Sequence, residues 1–435
     1  MSITEETREG FYLSEDGEWI PNGWLNLPLN QVVSDFIDYR GKTPTKTTSG
    51  IPLITAKVVK NGRIYPTQEY IADDDYDTWM RRGIPNEKDV ILTTEAPLGE
   101  VAFIPEGKIA LAQRIITLRG DEDKLDNGFL KYSLQSPLMQ SRLVARESGS
   151  TVSGIKSSEL KVTNILHPSG VKEQKSIADV LGSLDDKIEL LREQNETLEA
   201  LAQTLFKRWF IDFNFPDENG NPYKDSGGKM IPSELGEIPE GWNVSNISEC
   251  SEHIKISVKP DKHPTLTYNH YSLPAFDNGM LPVNEHGSEI KSNKYEVLPN
   301  SILVSKLNPG TPRIWQIQLV PENSICSTEF QVVKPRGETF SYVYSAVKTP
   351  AYTRELSGRA GGTSSSHQRV SPTDIFDIPL AMSENLEFEE QFSLIMGVSL
   401  EKIDHNRSKI QNLTNLRDTL LPKLMKGDIR VPVDV

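Results

Sequence analysis

Only two of the 435 residues are cysteines, Cys250 and Cys326, and they lack metal-ligand spacing. That excludes a disulfide framework and a cysteine-based zinc module, and a reducing cytoplasm is the expected compartment. The usual catalytic signatures are also missing. There is no Gly-x-Gly-x-x-Gly after a strand and no Walker A loop. There is no His-Glu-x-x-His, Cys-x-x-Cys, Gly-x-Ser-x-Gly or Asn-Pro-Pro-aromatic. The seven histidines, His167, His253, His263, His270, His286, His367 and His405, are scattered, and each reads best as a lone surface or loop residue. Catalysis by this chain itself is therefore not expected. No apolar run approaches the ~18 residues of a membrane span. The opening MSITEETREG is acidic with no apolar segment, so no secretory signal is expected.

Positive charge is scarce overall: the formal net charge is −14. Its distribution is uneven. Residues 1–30 carry about −5, 171–250 about −8 and 371–435 about −4, whereas 31–170 sum to about 0 and 251–370 to about +3. Two long central stretches are thus neutral or slightly basic, which permits phosphate binding without requiring it.

The segment from Val171 to Phe210 carries a heptad ladder. Ile177, Leu181, Leu184, Ile188, Leu191, Leu198 and Leu205 fall on it, and Asn195 and Ala202 keep the 4-3 step unbroken. This predicts one helix of roughly 55–60 Å at ~1.5 Å per residue, narrow-striped enough to need a partner helix. The partner is Glu390 to Met425, with Ile403, Ile410, Leu413 and Leu420 at the seam. Both helices open with Glu-Gln, at Glu173-Gln174 and Glu390-Gln391, and both close in Leu-x-x-Leu-x-x-Thr-Leu. Asn195 and Asn406 read as register-fixing polar residues.

Other landmarks return at a similar offset. Ile20-Pro21-Asn22-Gly23-Trp24 recurs as Ile238-Pro239-Glu240-Gly241-Trp242, Val90-Ile91-Leu92 as Ser301–Val304, and Gly149-Ser150-Thr151 as Gly361-Gly362-Thr363. One unit is used twice, as a tandem of whole domains and not a solenoid. The divisions are 1–168, a polar leader and first block; 169–212, the first long helix; 213–237, a Pro/Gly/Asn/Asp-rich linker; 238–382, the second block; and 383–435, the second helix and tail. Each block reads as mixed α/β with strands predominating. Strands are expected at 51–59, 89–93, 100–104 and 109–118, then at 265–268, 301–304, 313–319 and 330–333. Helices are expected at 127–146, broken before Pro137, and at 342–353.

Basic and hydroxyl-rich loops are the candidates for binding. The first block offers Arg40, Lys42, Thr43, Thr45 and Lys46, then Lys57, Lys60 and Arg63, then Arg81 and Arg82, then Ser150, Thr151 and Lys156. The second offers Lys306, Asn308 and Arg313, then Ser366, His367 and Arg369. Any one alone is an ordinary surface loop. Together they have the chemistry that phosphate and base-edge contacts require.

Two variable blocks, each followed by a heptad helix, with the Ile-Pro-x-Gly-Trp turn and the linker in that order, resemble the specificity subunit of a type I restriction-modification system. The resemblance covers essentially the whole chain. It implies an α+β fold of two target recognition domains separated by two long antiparallel coiled-coil helices with pseudo-twofold repetition. Each domain would read one half of a bipartite asymmetric site in double-stranded DNA, and the helices would set the spacing. The resemblance also implies two modification subunits and motor-nuclease restriction subunits as partners. S-adenosylmethionine, ATP and magnesium would then sit on those partners and not on this chain. The competing readings are a degenerate nuclease or methyltransferase, which the missing motifs oppose, and a coiled-coil adaptor that binds only protein.

Overall fold

The computed structural model describes residues 8–14, 17–39, 41, 43–148, 154–361 and 368–432. It divides into two compact units, Met1–Lys187 with Leu413–Val435, and Ile188–Asn412. Both long helices, Val171–Phe206 and Glu387–Met425, contribute to each unit.

The first unit is built on a four-stranded antiparallel sheet, in the order 98–103, 90–94, 115–120, 33–38. The 90–94 strand is wholly buried, as its unbroken apolar-and-threonine run requires. A smaller sheet pairs Ile51–Ile54 in parallel with Ala110–Leu111 and antiparallel with Tyr70–Ile71. The helix expected over 127–146 is two, Asn127–Gln135 and Pro137–Val144. The break is where the sequence places it: Ser136 caps the second helix through Met139 N–H, and Pro137 takes its first position.

The second unit repeats this plan. Its four-stranded sheet runs 251–254, 330–335, 301–305, 314–317, and its other sheet, here of five strands, again holds one parallel pair, Thr267–Tyr271 with Ser324–Ser327. Thr349 and Pro350 split its helix pair, Phe340–Val347 and Pro350–Gly358, as Ser136 and Pro137 do in the first unit. The expectation of a single helix over 342–353 is corrected by that capping threonine.

Three further expectations change. The polar leader contains a hairpin, Phe11–Leu13 with Trp19–Pro21. Met230–Ser233 with Gly236–Pro239 repeats it before the second Trp, so the leader is the first copy of a duplicated element. The linker is folded against the second core: Phe213 and Phe215 are buried, and Phe215 stacks on Trp242 and on Tyr223 at 5.1 and 4.7 Å. The Glu-Gln correspondence of the two helices slips by two residues. Trp24 pairs with Pro168, and Trp242 with Ser383. Six residues past each pair sit Gln174 and Glu389, both buried. Gln174 donates to Pro168 O at 2.8 Å, and Glu389 accepts from Ser383 N–H at 2.8 Å. Gln391 is exposed.

Within each unit the long helices run antiparallel. In the first, Asp185 meets Arg417 and Glu173 meets Arg430. In the second, Asn195 meets Asn406 at 2.9 Å and Phe206 meets Phe392, their rings 5.8 Å apart. Ile177, Leu181, Ile188, Leu191, Ile403 and Ile410 are buried, and Leu184, Asn195, Leu198, Leu205, Leu413 and Leu420 half-buried. Past Ala202 a π-turn at Lys207–Ile211 carries the buried stripe onto Phe206, Trp209 and Phe210.

Candidate nucleic-acid interface

One end of each four-stranded sheet gathers most of the candidate loops. In the first block, Asp38, Thr94, Leu98 and Ile115 all lie at that end, as the strand registers require. The chain leaving it includes Tyr39, 95–97 and Arg114. In the second block Ile254, Ser305, Ile314 and Phe330 mark the corresponding end, from which 306–313 and Glu329 leave.

The same backbone stem is built at both ends. In the first block Thr94 N–H donates to Arg114 O at 2.9 Å, and Thr94 O accepts from Ile155 N–H at 3.0 Å. Gly154 bridges Glu95 on one side and Ser148 on the other. In the second block Lys306 N–H donates to Glu329 O at 2.9 Å, and Lys306 O accepts from Val370 N–H at 3.0 Å. Arg369 bridges Leu307 and Gly361. Two residues past Thr94 and Lys306 the backbone turns left-handed in both, at Ala96 (φ 51°) and Asn308 (φ 52°). The Gly/Ser loops matched in sequence therefore spring from equivalent stems, Ser148 to Gly154 and Gly361 to Arg369. Ser150, Thr151, Ser366 and His367 lie outside the described residues, as do Arg40 and Lys42.

The remaining candidates are placed as follows. Thr43 and Thr45 are exposed, and Lys46 pairs with Glu69 at 2.8 Å. Arg82 donates to Asp38 O at 3.2 Å, beside exposed Arg81. Lys57, Lys60 and Arg63 ride a two-residue hairpin whose Asn61-Gly62 turn has φ of 53° and 83°, the left-handed pair a type I′ turn needs. That hairpin packs on the 98–103 strand and is pinned by Asn61 N–H to Glu100 at 2.8 Å. Lys57 and Lys60 are exposed, and the Arg63 guanidinium lies over the Tyr65 ring at 4.7 Å. Lys156 is exposed, lining an open cleft of about 550 Å³ with Arg146, Ser148 and Glu159.

In the second block Lys306, Asn308 and Arg369 come together at the stem, where Asn308 N–H donates to Gln368 O at 2.8 Å. Two arginines there are already engaged. Arg313 forms a bidentate pair with Asp277 at 2.8 and 2.9 Å, and these hydrogen bonds push its pKa up. Arg369 grips Glu329 at 3.2 and 3.3 Å. Sequence reasoning missed Glu95, Arg114 and Glu329. Their signal was faint: Glu95 and Glu329 are single charges beside expected strands, and Arg114 lies inside the strand expected over 109–118, which the structure breaks into Ala110–Leu111 and Ile115–Gly120.

A second set of polar contacts fixes each block to the helices of its own unit. Asp185 accepts from Lys131 Nζ at 2.9 Å, Tyr132 Oη at 2.8 Å and Arg417 at 2.9 Å. Burial alone would raise this carboxyl, but Lys131 and Arg417 outweigh it and hold it below the usual range. In the second unit Glu199 accepts from Tyr344 Oη and Lys348 Nζ, each at 2.5 Å, with Arg407 3.9 Å away. At the duplicated turn, Trp24 Nε1 donates to Glu173 at 3.2 Å, and the Trp24 ring meets Phe129 edge-on at 6.1 Å. Arg430 bridges to the same carboxylate at 2.5 Å.

Comparison with known proteins converges on one family. Residues 33–200 match the type I restriction modification DNA specificity domain. The type I restriction enzyme MjaIX specificity subunit of Methanocaldococcus jannaschii is 27% identical over 352 residues, covering 79% of this chain and 78% of its own. The MjaVIII specificity subunit of the same organism is 24% identical and spans 97% of both chains. The type I restriction-modification S subunit from M. genitalium has a similar fold, with a TM-score of 0.56 and 18% identity over 92% of this chain and 96% of that one.

Proposed function

We propose that this chain is a DNA sequence-specificity subunit of the type I restriction-modification family, as its similarities support, and that its two blocks read the two halves of one bipartite, asymmetric DNA site. The observation that carries the proposal is the repeated stem. Two sheets end in the same backbone hydrogen bonds yet present different side chains, Lys306, Asn308 and Arg369 in one and Thr94, Ala96 and Gly154 in the other. A common scaffold with unlike surfaces suits two ligands of one class, and unequal blocks suit unequal half-sites.

In this reading the paired long helices set the spacing between half-sites. Successive major-groove faces recur every ~34 Å, a distance helices of this length can span. Lysine and arginine side chains at the sheet ends supply affinity through phosphates, while the loops supply base contacts. The chain is the non-catalytic subunit. Modification subunits, two by the pseudo-twofold repeat, dock on the helices and carry S-adenosylmethionine for adenine methylation. Restriction subunits add ATP- and magnesium-dependent cleavage. The complex works in the cytoplasm, and no helix among the described residues is long and apolar enough to cross a membrane.

The test is methylation mapping of host DNA by single-molecule sequencing with the gene intact and deleted. Loss of adenine methylation at one split asymmetric motif is the expected result. Unchanged methylation, with the modification subunits demonstrably expressed, would leave only a protein-binding role for the chain.

A further inference from the structure

We infer that Arg114 in the first block and Glu329 in the second are paired base-reading positions, one junction residue used with opposite charge to select different bases in the two half-sites. The inference rests on the specificity-subunit reading and assigns residues to it.

The equivalence is fixed by backbone geometry. Each residue lies where the chain leaves the sheet that holds the parallel pair and enters the four-stranded one. Arg114 stands between Ala110–Leu111 and Ile115–Gly120, and Glu329 between Ser324–Ser327 and Phe330–Pro335. Each carbonyl accepts from the stem residue, Thr94 or Lys306, at 2.9 Å. The next residues hold matching registers, Ile115 opposite Thr93 and Phe330 opposite Ser305. The stem hydrogen bond and the following register are thus kept, while the junction backbone is left-handed only at Arg114 and the side chain changes from a cation to an anion. Arg114 also has φ of 71°, a conformation non-glycine residues adopt at a cost and that the two flanking sheets impose.

Each junction residue is half-committed. Arg114 engages Glu95 through Nε at 3.0 Å, with the side chains 48% and 36% exposed. Glu329 engages Arg369 at 3.2 and 3.3 Å, with the Glu329 and Arg369 side chains 27% and 49% exposed. These contacts are long for charge-assisted hydrogen bonds, and ion pairs this exposed are worth little. They differ from the pairs that hold the scaffold. Arg119 meets fully buried Asp89 at 2.7 Å, and Arg313 grips Asp277 by two shorter bonds, 2.8 and 2.9 Å. A loose pair can be opened by DNA at small cost, and meanwhile holds the reader in a defined direction. The chemistry of each end then follows. A guanidinium fork fits guanine O6 and N7 in the major groove, and a carboxylate accepts from cytosine N4.

The experiment uses the full chain assembled with its modification subunits in a methylation-free host, reading the motif by single-molecule sequencing. Arg114→Lys keeps the charge and removes the planar fork. Glu329→Gln keeps the shape and adds a donor. Each is expected to lower discrimination by about tenfold or more at one base pair. Arg114→Lys acts in one half-site and Glu329→Gln in the other, the partner half unchanged. An unaltered motif at normal methylation levels would make both residues surface ion pairs and overturn the inference. So would a loss of binding that is uniform across single-base variants of the site, the mark of a phosphate contact. Glu329 carries no left-handed backbone, so Glu329→Gln decides the question by itself if Arg114→Lys fails to fold. Failure of the underlying reading looks different: deleting the wild-type gene would then remove no motif at all.

Discussion

At the scale of single residues, the polar groups separate by what surrounds them. Asp185 is four-fifths buried and satisfied by three donors, one of them the buried Lys131. Removing one partner of such a group strands the others, a loss of about 3 kcal/mol or more. Asp185→Asn should therefore lower the urea midpoint markedly at neutral pH. The pH dependence has a definite sign. A carboxyl held below its unfolded value, ~4 for aspartate, contributes stability above that value and loses it as the pH falls through the depressed one. The gap between wild type and variant should be full at pH 7 and shrink toward pH 3. A gap independent of pH would mean that Asp185 acts through shape alone. The sequence showed Asp185 only as one of many acidic residues on the outer faces of a heptad helix. Its three partners come from elsewhere in the fold, so nothing local distinguished it.

At the scale of elements, the long helices pair through an apolar seam interrupted once. Asn406 is fully buried and donates to Asn195 at 2.9 Å. Its carbonyl oxygen finds no partner among the described residues. Such a pair lowers stability and fixes register, because sliding either helix would bury both amides unpaired. Replacing both with leucine should raise the thermal midpoint by several degrees while permitting alternative registers. Calorimetry reads the first effect, and loss of a single spacer length in the methylated motif reads the second. A lower midpoint would show that the amide pair is a net stabiliser. The seam was legible from the sequence because a heptad is a local pattern along one helix. The drift of the stripe at the π-turn was not, because it follows from the aromatic cluster of Phe206, Phe210, Trp242 and Phe392, which three segments assemble.

At the scale of the whole molecule, a net charge of −14 runs against the proposed function of holding a polyanion. The contradiction dissolves once charge is counted by block, since the acidic excess lies on the leader, helices and linker. Phosphate contacts by a few lysines and arginines release counterions whatever the distant charge. The logarithm of affinity should thus fall linearly with the logarithm of salt, with a slope near −0.9 per phosphate neutralised. The assembled modification complex on a duplex carrying its motif should lose affinity steeply from 50 to 200 mM salt. Binding insensitive to salt would argue for contacts made by protein alone.

The sequence by itself determined the duplication, the two helices and the tandem α+β blocks. All of these rest on periodicity and order along the chain, which need no knowledge of what lies across space. It also placed Lys156, Lys306, Asn308 and Arg369 in loops at the sheet ends, since turn chemistry is local. The tertiary structure alone decided which charges are spent and which are available. Arg313 and Arg369 look alike in sequence, yet one is locked to Asp277 and the other loosely held by Glu329. Only folding puts Arg114 and Glu329 at equivalent junctions of their own blocks with opposite sign, because strand register, not residue spacing, fixes where a side chain stands.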